Sequence, residues 1–412
     1  MDVIHERCCG LDVHKRTVVA CLLTPGQRGQ PGKEVRPFGT MTADVQALAE
    51  WLAAAGCTHV AMEGTGVYWK PIWNLLEDRF ALLLVNARHV KAVPGRKTDV
   101  KDAEWLADLL RHGLLAASYV PDRDQRELRE LTRSRTTLLR ERAAEANRLQ
   151  KTLEGANLKL AAVATDITGK SGRAILRALV DGETDPARLA ELAQGRLREK
   201  LPALRQALAG RVGAHQRFLV AQQLDHLAFL DARIEQVSAE IAERTRPCAD
   251  AIARLDAIPG VGQRTAEVLV AEVGTEMGRF PTPGHLASWA GMCPGNHQSA
   301  GQHKSGRTRK GSPWLRGALA EAAQAAARTK GSYLQAQYRR LAARRGKQRA
   351  IIAVGHTILR MVYHLLKRPD SVYEELGAHY FDERDRQAIE RRLVRRLERL
   401  GYQVALEPIG AT

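Results

Sequence analysis

The sequence has little of the features that mark zinc, secreted or membrane proteins. Its six cysteines form no C-x-x-C pair, which argues against a zinc site. Four of them lie in apolar, strand-like stretches, so we expect buried free thiols there. No apolar run approaches the roughly 18 residues of a membrane span, and no secretory leader is apparent. We therefore expect a cytoplasmic protein with no membrane partner.

Acidic residues are nearly absent from one late segment. Between Pro281 and Pro369 there are 16 basic side chains and one acid, Glu321, whereas the segment Met1–Asp122 contains 14 of each kind. The whole chain of 412 residues carries a formal net charge of +17. Such an excess predicts a polyanionic partner, and nucleic acid is favoured over a membrane because no basic helix with an aromatic face is present.

The apolar pattern of the first 120 residues predicts a mixed sheet flanked by helices, in the order β-β-β-α-β-α-β-α. The expected strands are Cys8–Asp12, Thr17–Leu23, Glu34–Met41, His59–Glu63 and Ala81–Val85. The expected helices are Val45–Ala55, Val67–Asp78 and one that Thr98 caps and that ends near Arg111. We therefore expect an α/β domain over residues 1–122.

The rest of the chain is predicted to be helical. Residues 123–249 contain a heptad stripe, Val220, Leu227, Ile234 and Ile241, which is typical of a coiled-coil seam and favours an oligomerisation arm. Residues 157–172 are expected to form a break between helices. Residues 250–370 predict a compact helical domain, and residues 371–412 a charged helical tail. In the third region Ser312 is the expected N-cap of a helix that begins with Pro313.

Four acids in the first region have the strongest chemical implication. Asp12 and Glu63 each end an apolar strand, where a carboxylate is costly unless something positive meets it. Asp99 and Asp102, three residues apart, share one face at the start of a helix. Hard oxygen ligands from three segments predict a Mg²⁺ (or Mn²⁺) site suited to phosphodiester chemistry. Asp99 by itself is equally compatible with an ordinary acid of a first helical turn.

Several basic and glycine-rich segments are candidates for contacts with phosphates. Gly260 and Gly262 lie in a turn between two helices that resembles a helix-hairpin-helix; a phosphate site and a plain tight turn remain equally open. In the loop 297–311, a serine such as Ser299 is a weak nucleophile unless it is activated, so residue type favours a solvated side chain. The candidate phosphate ligands are Arg88, Lys91, Arg96, Lys97, Lys304, Arg307, Arg309, Lys310 and Arg316.

Six motifs together resemble the DEDD transposases of bacterial insertion sequences. They are GLDVHK at 10–15, MEGTGVY at 62–68, KTDVKDA at 97–103, IPGVG at 258–262, LASWAGMCP at 286–294 and KGSPWLR at 310–316. The resemblance runs in order from residue 8 to about residue 367. It implies an RuvC-like (ribonuclease-H-like) N-terminal domain and a helical C-terminal domain that carries a serine.

The family resemblance implies a site-specific DNA recombinase. Asp12, Glu63, Asp99 and Asp102 would then bind Mg²⁺, and Ser299 would form a phosphoserine link to the cut strand. The implied partners are donor and target DNA, a structured non-coding bridge RNA, and further copies of the chain in a dimer or tetramer. The acidic site of one subunit would meet the serine of another. A bacterial, nucleoid-associated location follows from the same resemblance.

Two departures from the family pattern leave alternatives open. Ala300 intervenes between Ser299 and Gly301, so Ser305, which a glycine follows directly, is a rival nucleophile. Ser312 stands where the family often has asparagine. A metal-dependent nuclease that resolves Holliday-type junctions with water, and whose C-terminal domain only binds DNA, is the alternative enzyme. An architectural nucleic-acid protein with a decayed site is the third possibility, against which the intact tetrad argues.

Overall fold

The computed structural model describes residues 2–26, 30–64, 66–86, 102–295, 298–299, 301–303 and 306–406, with the backbone alone at residues 298, 299 and 303. The chain divides into two compact units, Met1–Pro121 and Asp122–Thr412. The first contains a mixed sheet with helices and the second is almost wholly helical. The predicted combination of α/β and all-α structure is therefore confirmed.

The sheet of the first unit has five strands in the order β3-β2-β1-β4-β5. The strands are β1 Cys8–Val13, β2 Thr17–Thr24, β3 Gly32–Gly39, β4 His59–Glu63 and β5 Ala81–Val85. The first three strands form an antiparallel meander, and β4 and β5 continue the sheet in parallel with β1. Strands β1 and β4, which pair in parallel, are largely buried on both faces, which agrees with their continuous apolar runs.

Helices cover both faces of this sheet. On one face, α1 (Thr42–Ala54) and α2 (Trp69–Leu76) pack on the side chains of Cys9, Leu11 and Met62. On the other face, α3 (Asp102–Arg111) packs on Cys8, Cys21 and Ala61. The alternation of side chains along a strand therefore separates two sets of residues, one for each layer of helices.

The predicted element order of this unit is confirmed, and only the boundaries shift. Strand β3 begins at Gly32 rather than at Glu34 because it pairs along the full length of β2, from Thr24 opposite Gly32 to Thr17 opposite Gly39. The expected cap Thr98 lies outside the described residues.

The second unit contains fourteen helices of the α type in the described residues. They are α4 Arg123–Gly155, α5 Leu160–Val163, α6 Lys170–Val180, α7 Pro186–Glu191, α8 Leu201–Leu208, α9 Ala214–Arg244, α10 Ala249–Asp256, α11 Gln263–Val273, α12 Pro283–Trp289, α13 Pro313–Ala326, α14 Tyr333–Arg345, α15 Lys347–Lys367, α16 Tyr380–Arg384 and α17 Arg386–Glu398. Two short strands, β6 Gln298–Ser299 and β7 Gln302–His303, form a hairpin between α12 and α13.

The predicted break at 157–172 is shorter than expected. Helix α6 already begins at Lys170 and includes Gly172, whose α-carbon lies against the backbone of Ile167. A β-carbon at Gly172 would come within 2.1 Å of the Ile167 carbonyl oxygen. This glycine therefore lets the first turn of α6 pack closely against the segment that precedes the helix.

Helices α4 and α9 form a long antiparallel pair within the chain. Arg142 bonds to Asp231, and the Arg135 Nε donates to Ser238 Oγ at 2.7 Å, so residue numbers rise along one helix as they fall along the other. Val220, Leu227 and Ile241 of the predicted seam are buried within this unit. These residues of the heptad stripe therefore pack against other helices of the same chain. A role of the stripe in oligomerisation stays a prediction.

Helix α15 is the centre of the C-terminal core. Val354, Ile358, Leu359 and Val362 are fully buried there among side chains from α10 to α14. By length and composition this helix, Lys347–Lys367, is apolar enough to cross a membrane, contrary to the expectation that no such segment exists, but half of its apolar window is buried inside the protein. It has the character of a core helix.

Candidate active site

Asp12 and Glu63 occupy equivalent positions on neighbouring parallel strands. The ladder between β1 and β4 ends where Leu11 lies opposite Met62, and the two acids are the next residue on each strand. Leu11 and Met62 both point into the layer of α1 and α2. By alternation, the two acids lie on the opposite face, and both are half-buried.

Asp102 is brought to the same face by the close packing of α3 on β1. A β-carbon built at Gly10 would lie 2.2 Å from the Ala103 carbonyl oxygen and 2.5 Å from the Ala107 nitrogen. Only glycine allows this approach. The helix runs antiparallel to β1, because its later residue Ala107 accepts a bond from the Cys8 thiol at 3.6 Å. Its first residue, Asp102, therefore lies toward the Asp12 end of the strand.

The three described acids are hard oxygen donors of the kind that Mg²⁺ prefers. Within the described ranges, however, no group of three or more His, Cys, Asp or Glu side chains is close enough to hold a metal ion. The fourth predicted ligand, Asp99, lies outside the described residues. The type of donor thus fits a divalent cation. Asp12, Glu63 and Asp102 lie on the same face of the sheet, but they are not close enough together to form a complete coordination sphere.

The surroundings of the acids include residues that sequence reasoning gave no role. His14 Nε2 lies 3.1 Å from Asp12 Oδ2, and the imidazole is 60% exposed. On the first turn of α3, Glu104 pairs with Lys33 of β3 at 2.8 Å, and this hydrogen bond raises the pKa of Lys33. His14 follows the last residue of β1 in a run of polar residues, and nothing in that sequence pattern distinguished it from its neighbours.

Ser299 ends the short strand β6 at the tip of a hairpin. Gln298 pairs with His303 and Ser299 with Gln302, so the chain reverses direction between Ser299 and Gln302. Gly301 has a φ of +75°, a left-handed conformation that suits glycine. The intervening Ala300, which departs from the family pattern, lies outside the described residues. The rival Ser305 and the adjacent Lys304 lie outside the described residues.

The two ends of the hairpin loop are joined closely at its base. The backbones of Gly291 and Gly311 meet there, and a β-carbon at Gly311 would lie 2.1 Å from the Ala290 carbonyl oxygen. Above this contact Pro294 bridges to Thr308, and the Gly295 nitrogen donates to the Arg307 carbonyl at 2.8 Å. These contacts hold together the two ends of the loop between α12 and α13, and Ser299 lies at the opposite end of that loop.

A buried carboxylate anchors the segment that follows the loop. Glu272 of α11 is only 1% exposed and accepts two bonds from the Arg133 guanidinium of α4, at 2.7 and 3.0 Å. Its second oxygen also accepts a bond from the Ser312 hydroxyl at 3.0 Å. Ser312 in turn caps α13 by accepting from the Leu315 nitrogen, and Pro313 is the first helical residue, as predicted.

The predicted phosphate ligands fall into three groups. Arg307, Arg309 and Lys310 are exposed in the hairpin loop, and Arg316 is half-buried on α13. Gly260 has a φ of +87° and lies against α13, where a β-carbon would be 2.3 Å from the Ala322 carbonyl oxygen, so close packing accounts for this glycine. Five predicted ligands lie outside the described residues: Arg88, Lys91, Arg96, Lys97 and Lys304.

The second glycine of the same turn is in a different situation. Gly262 is exposed at the N-cap of α11, and nothing lies within 4 Å of a β-carbon built there. Space for a ligand is therefore available beside Gly262, and its contact with nucleic acid stays a prediction.

The chain matches two sequence models of known families. Residues 9–158 match the DEDD transposase model of the IS110 type, and residues 252–339 match the model described as the transposase IS116/IS110/IS902 family. A Pseudomonas aeruginosa protein named "Probable family 20 transposase" is 28% identical over 318 residues, which cover 75% of this chain and 84% of that protein. The protein y4qE of Sinorhizobium fredii, likewise named as a transposase, is 27% identical over 331 residues, which cover 77% and 71% of the two chains.

Proposed function

The chain belongs to the IS116/IS110/IS902 family of transposases, and from this membership we propose that it cuts and exchanges DNA strands through a phosphoserine intermediate. The observation that supports the proposal best is the common sheet face of Asp12, Glu63 and Asp102. Carboxylates from β1, β4 and the first turn of α3 lie on that face at one end of the sheet, and they are donors suited to holding a divalent cation, which would offset the charge of a phosphodiester.

In the proposed reaction, Ser299 Oγ attacks the phosphorus of a DNA phosphodiester. The hydroxyl of Ser299 gives up its proton as the Oγ–P bond forms, the bond from phosphorus to one deoxyribose oxygen breaks, and that oxygen takes up a proton and leaves as a hydroxyl. The ester that results keeps the energy of the broken bond, so the strand can be passed to a new hydroxyl without a high-energy cofactor. Asp12, Glu63, Asp99 and Asp102 would hold Mg²⁺, which supplies charge stabilisation at the phosphate oxygens.

The proposal includes the partners that the family resemblance implies. These are donor and target DNA, a structured bridge RNA that pairs with both, and further copies of the chain in a dimer or tetramer. The excess of basic side chains between Pro281 and Pro369 supports a polyanionic partner. The acids of one subunit would act with the serine of another.

An adduct assay tests the covalent step. The protein is incubated with Mg²⁺, DNA that flanks its coding sequence and RNA transcribed from that DNA, and covalent protein–DNA complexes are separated on denaturing gels. We expect a complex with the unaltered protein and with Ser305→Ala, and none with Ser299→Ala. The same complex should disappear in Asp12→Asn, because this variant lacks one of the carboxylates that would hold Mg²⁺ at the phosphate.

The alternative is a junction-resolving nuclease that uses water. The same acids favour it, since paired carboxylates with metal can activate water directly. Under this alternative Ser299→Ala would still cleave junction DNA with Mg²⁺, and no covalent complex would form with any variant. Either result would contradict the phosphoserine proposal.

A further inference from the structure

A large cavity in the second unit is lined by arginines and by no acid among its described residues. It has a volume of about 1090 Å³ and lies between the hairpin loop and helices α13, α14 and α15. Five guanidinium groups reach its wall: Arg307, Arg316, Arg345, Arg349 and Arg360. Only Arg307 and Arg316 were recognised from the sequence as candidate phosphate ligands.

The described residues that line this cavity include no acidic side chain. Glu321 is the one acid of the surrounding basic segment, and it is not among the residues of the wall. Like charges held near one another repel and destabilise the fold, so their collection in one cavity is costly without a counter-charge. Guanidinium groups are weakly hydrated and bind phosphate oxygens in pairs, which makes a phosphate backbone the complementary ligand.

The same wall carries uncharged groups suited to hydrogen bonding. Gln337 Nε2 donates to Thr357 Oγ1 at 2.9 Å, and Thr357 donates to the Ala353 carbonyl at 3.2 Å. The Gln337 Oε1 is buried and has no hydrogen-bond partner among the described residues. A buried acceptor without a hydrogen bond is unfavourable, so a donor from a ligand would be favoured there. The amino groups of bases are such donors.

The cavity adjoins the loop that carries Ser299. The wall of the cavity shares three residues with the base of that loop: Pro294, Arg307 and Thr308. A strand held in the cavity would therefore pass the base of the hairpin at whose tip Ser299 lies. This position connects the cavity to the proposed chemistry without requiring any residue outside the described ranges.

We propose that this cavity binds the phosphodiester backbone of a single DNA strand, with Arg345, Arg349 and Arg360 as phosphate ligands and Gln337 as a contact to a base. The DNA identity of the strand rests on the proposed function, whereas the binding chemistry does not. The cavity holds the strand beside the hairpin, and Ser299 is not required for binding.

Binding to fluorescent oligonucleotides, measured by anisotropy in a Ser299→Ala background, tests the arginines. Replacing Arg345 and Arg349 by alanine should weaken binding to single-stranded DNA at least 10-fold. It should also reduce the slope of log affinity against log salt by about 1.4, because each lost phosphate contact on a single strand accounts for about 0.7. Both arginines are exposed, so the variant is expected to fold.

The matched control is Arg196→Ala with Lys200→Ala in the segment between α7 and α8, where Asp166 and Glu199 lie beside the two cations. This pair has the same spacing of four residues, is also exposed and lies outside the cavity. It should leave the salt slope unchanged. An equal loss in both double variants, or no loss in the cavity variant, would overturn the proposal. So would a loss confined to RNA of the same sequence while DNA binding is unaffected.

Gln337→Leu separates a contact to a base from a charge effect. It should lower the affinity for DNA several-fold with an unchanged salt slope, because no charge is removed. Unchanged affinity in this variant would contradict the assigned contact of Gln337. All of these measurements use a protein that cannot form the serine adduct. A negative binding result would therefore contradict the cavity proposal and not the proposed reaction, which the adduct assay tests separately.

Discussion

Gly10 is the residue on which the position of Asp102 depends most directly. A methyl group at this position would overlap the backbone of α3 at Ala103 and Ala107. We expect Gly10→Ala to displace α3, to lower the free energy of unfolding by about 1–3 kcal/mol and to reduce DNA cleavage strongly. Thermal unfolding and a cleavage assay on the same preparation measure both effects.

Gly64→Ala is the matched control in the same unit. The nearest atom to a β-carbon at Gly64 is the Val85 carbonyl oxygen at 3.6 Å, an ordinary contact distance. This variant should unfold at the same temperature as the unaltered protein. If both alanine variants behave alike, the close packing of α3 on β1 is not what positions the acid.

The buried thiols of the sheet are a second residue-scale consequence of the fold. Burial raises the pKa of Cys8 to about 11, and those of Cys21 and Cys57 to about 12. Their folded pKa values exceed the unfolded ones, so their contribution to stability is complete below about pH 9 and is lost as the pH rises through 11–12. Alkylation at pH 8.5 followed by mass spectrometry should modify the partly exposed Cys248 and Cys293 first. Early modification of Cys8 would contradict this packing.

The sequence predicted the acids themselves but not the contacts that position them. Asp12 and Glu63 were visible because each ends an apolar run, which a carboxylate rarely does without a purpose. The role of Gly10 was not visible, since a close approach between a strand and a helix 90 residues later depends on tertiary packing. The contact of His14 with Asp12 was likewise hidden in a motif with several polar residues.

At the scale of elements, the carboxylate of Glu272 joins α4, α11 and the start of α13. Removing one partner of a buried ion pair leaves an uncompensated charge and costs roughly 3–5 kcal/mol. We expect Glu272→Gln to destabilise the protein by about that amount, because Arg133 loses its charged partner and one of the two acceptor oxygens that Arg133 and Ser312 share becomes an NH2 donor. Chemical denaturation provides the measurement.

An exposed pair on the same half of the chain provides the comparison. Glu243 bonds to Arg246, and both side chains are more than half exposed. Glu243→Gln should therefore change the free energy of unfolding by less than about 1 kcal/mol. Similar losses for the two variants would mean that the burial of Glu272 is not what makes its pair important.

The long helices show what an apolar pattern can and cannot predict. The stripe through Val220, Leu227 and Ile241 correctly indicated a packed helix face. Its partner could not be read from periodicity, because a seam looks the same whether α4 of the same chain or another copy fills it. In the structure α4 fills it, through contacts that include the pair of Arg142 with Asp231.

At the scale of the whole molecule, charge is divided unevenly along the chain. The first unit is close to neutral, and nearly all of the net charge of +17 comes from the second. We expect the affinity for DNA to fall log-linearly as salt increases, since several phosphates are neutralised on binding. Titrations from 50 to 300 mM salt check this expectation, and a flat response would contradict a phosphate-binding role for the basic segment.

The sequence was sufficient for the family, the order of elements and the location of charge, because these depend on local pattern. It was insufficient for the arginine cavity, whose wall combines residues from the hairpin loop and three helices. Arg345, Arg349 and Arg360 are separated from Arg307 by up to 53 residues, counted from their numbers. No motif joins them, and only the fold of α13–α15 brings them to one place.

The most direct test of the account is to identify the residue that becomes linked to DNA. Covalent complexes trapped with Mg²⁺ are digested with protease and nuclease, and the remaining peptide–nucleotide is sequenced by mass spectrometry. The account predicts a phosphodeoxynucleotide on Ser299, and its disappearance in Ser299→Ala. A nucleotide on Ser305 or another residue, or cleaved DNA with no linked peptide at all, would contradict it.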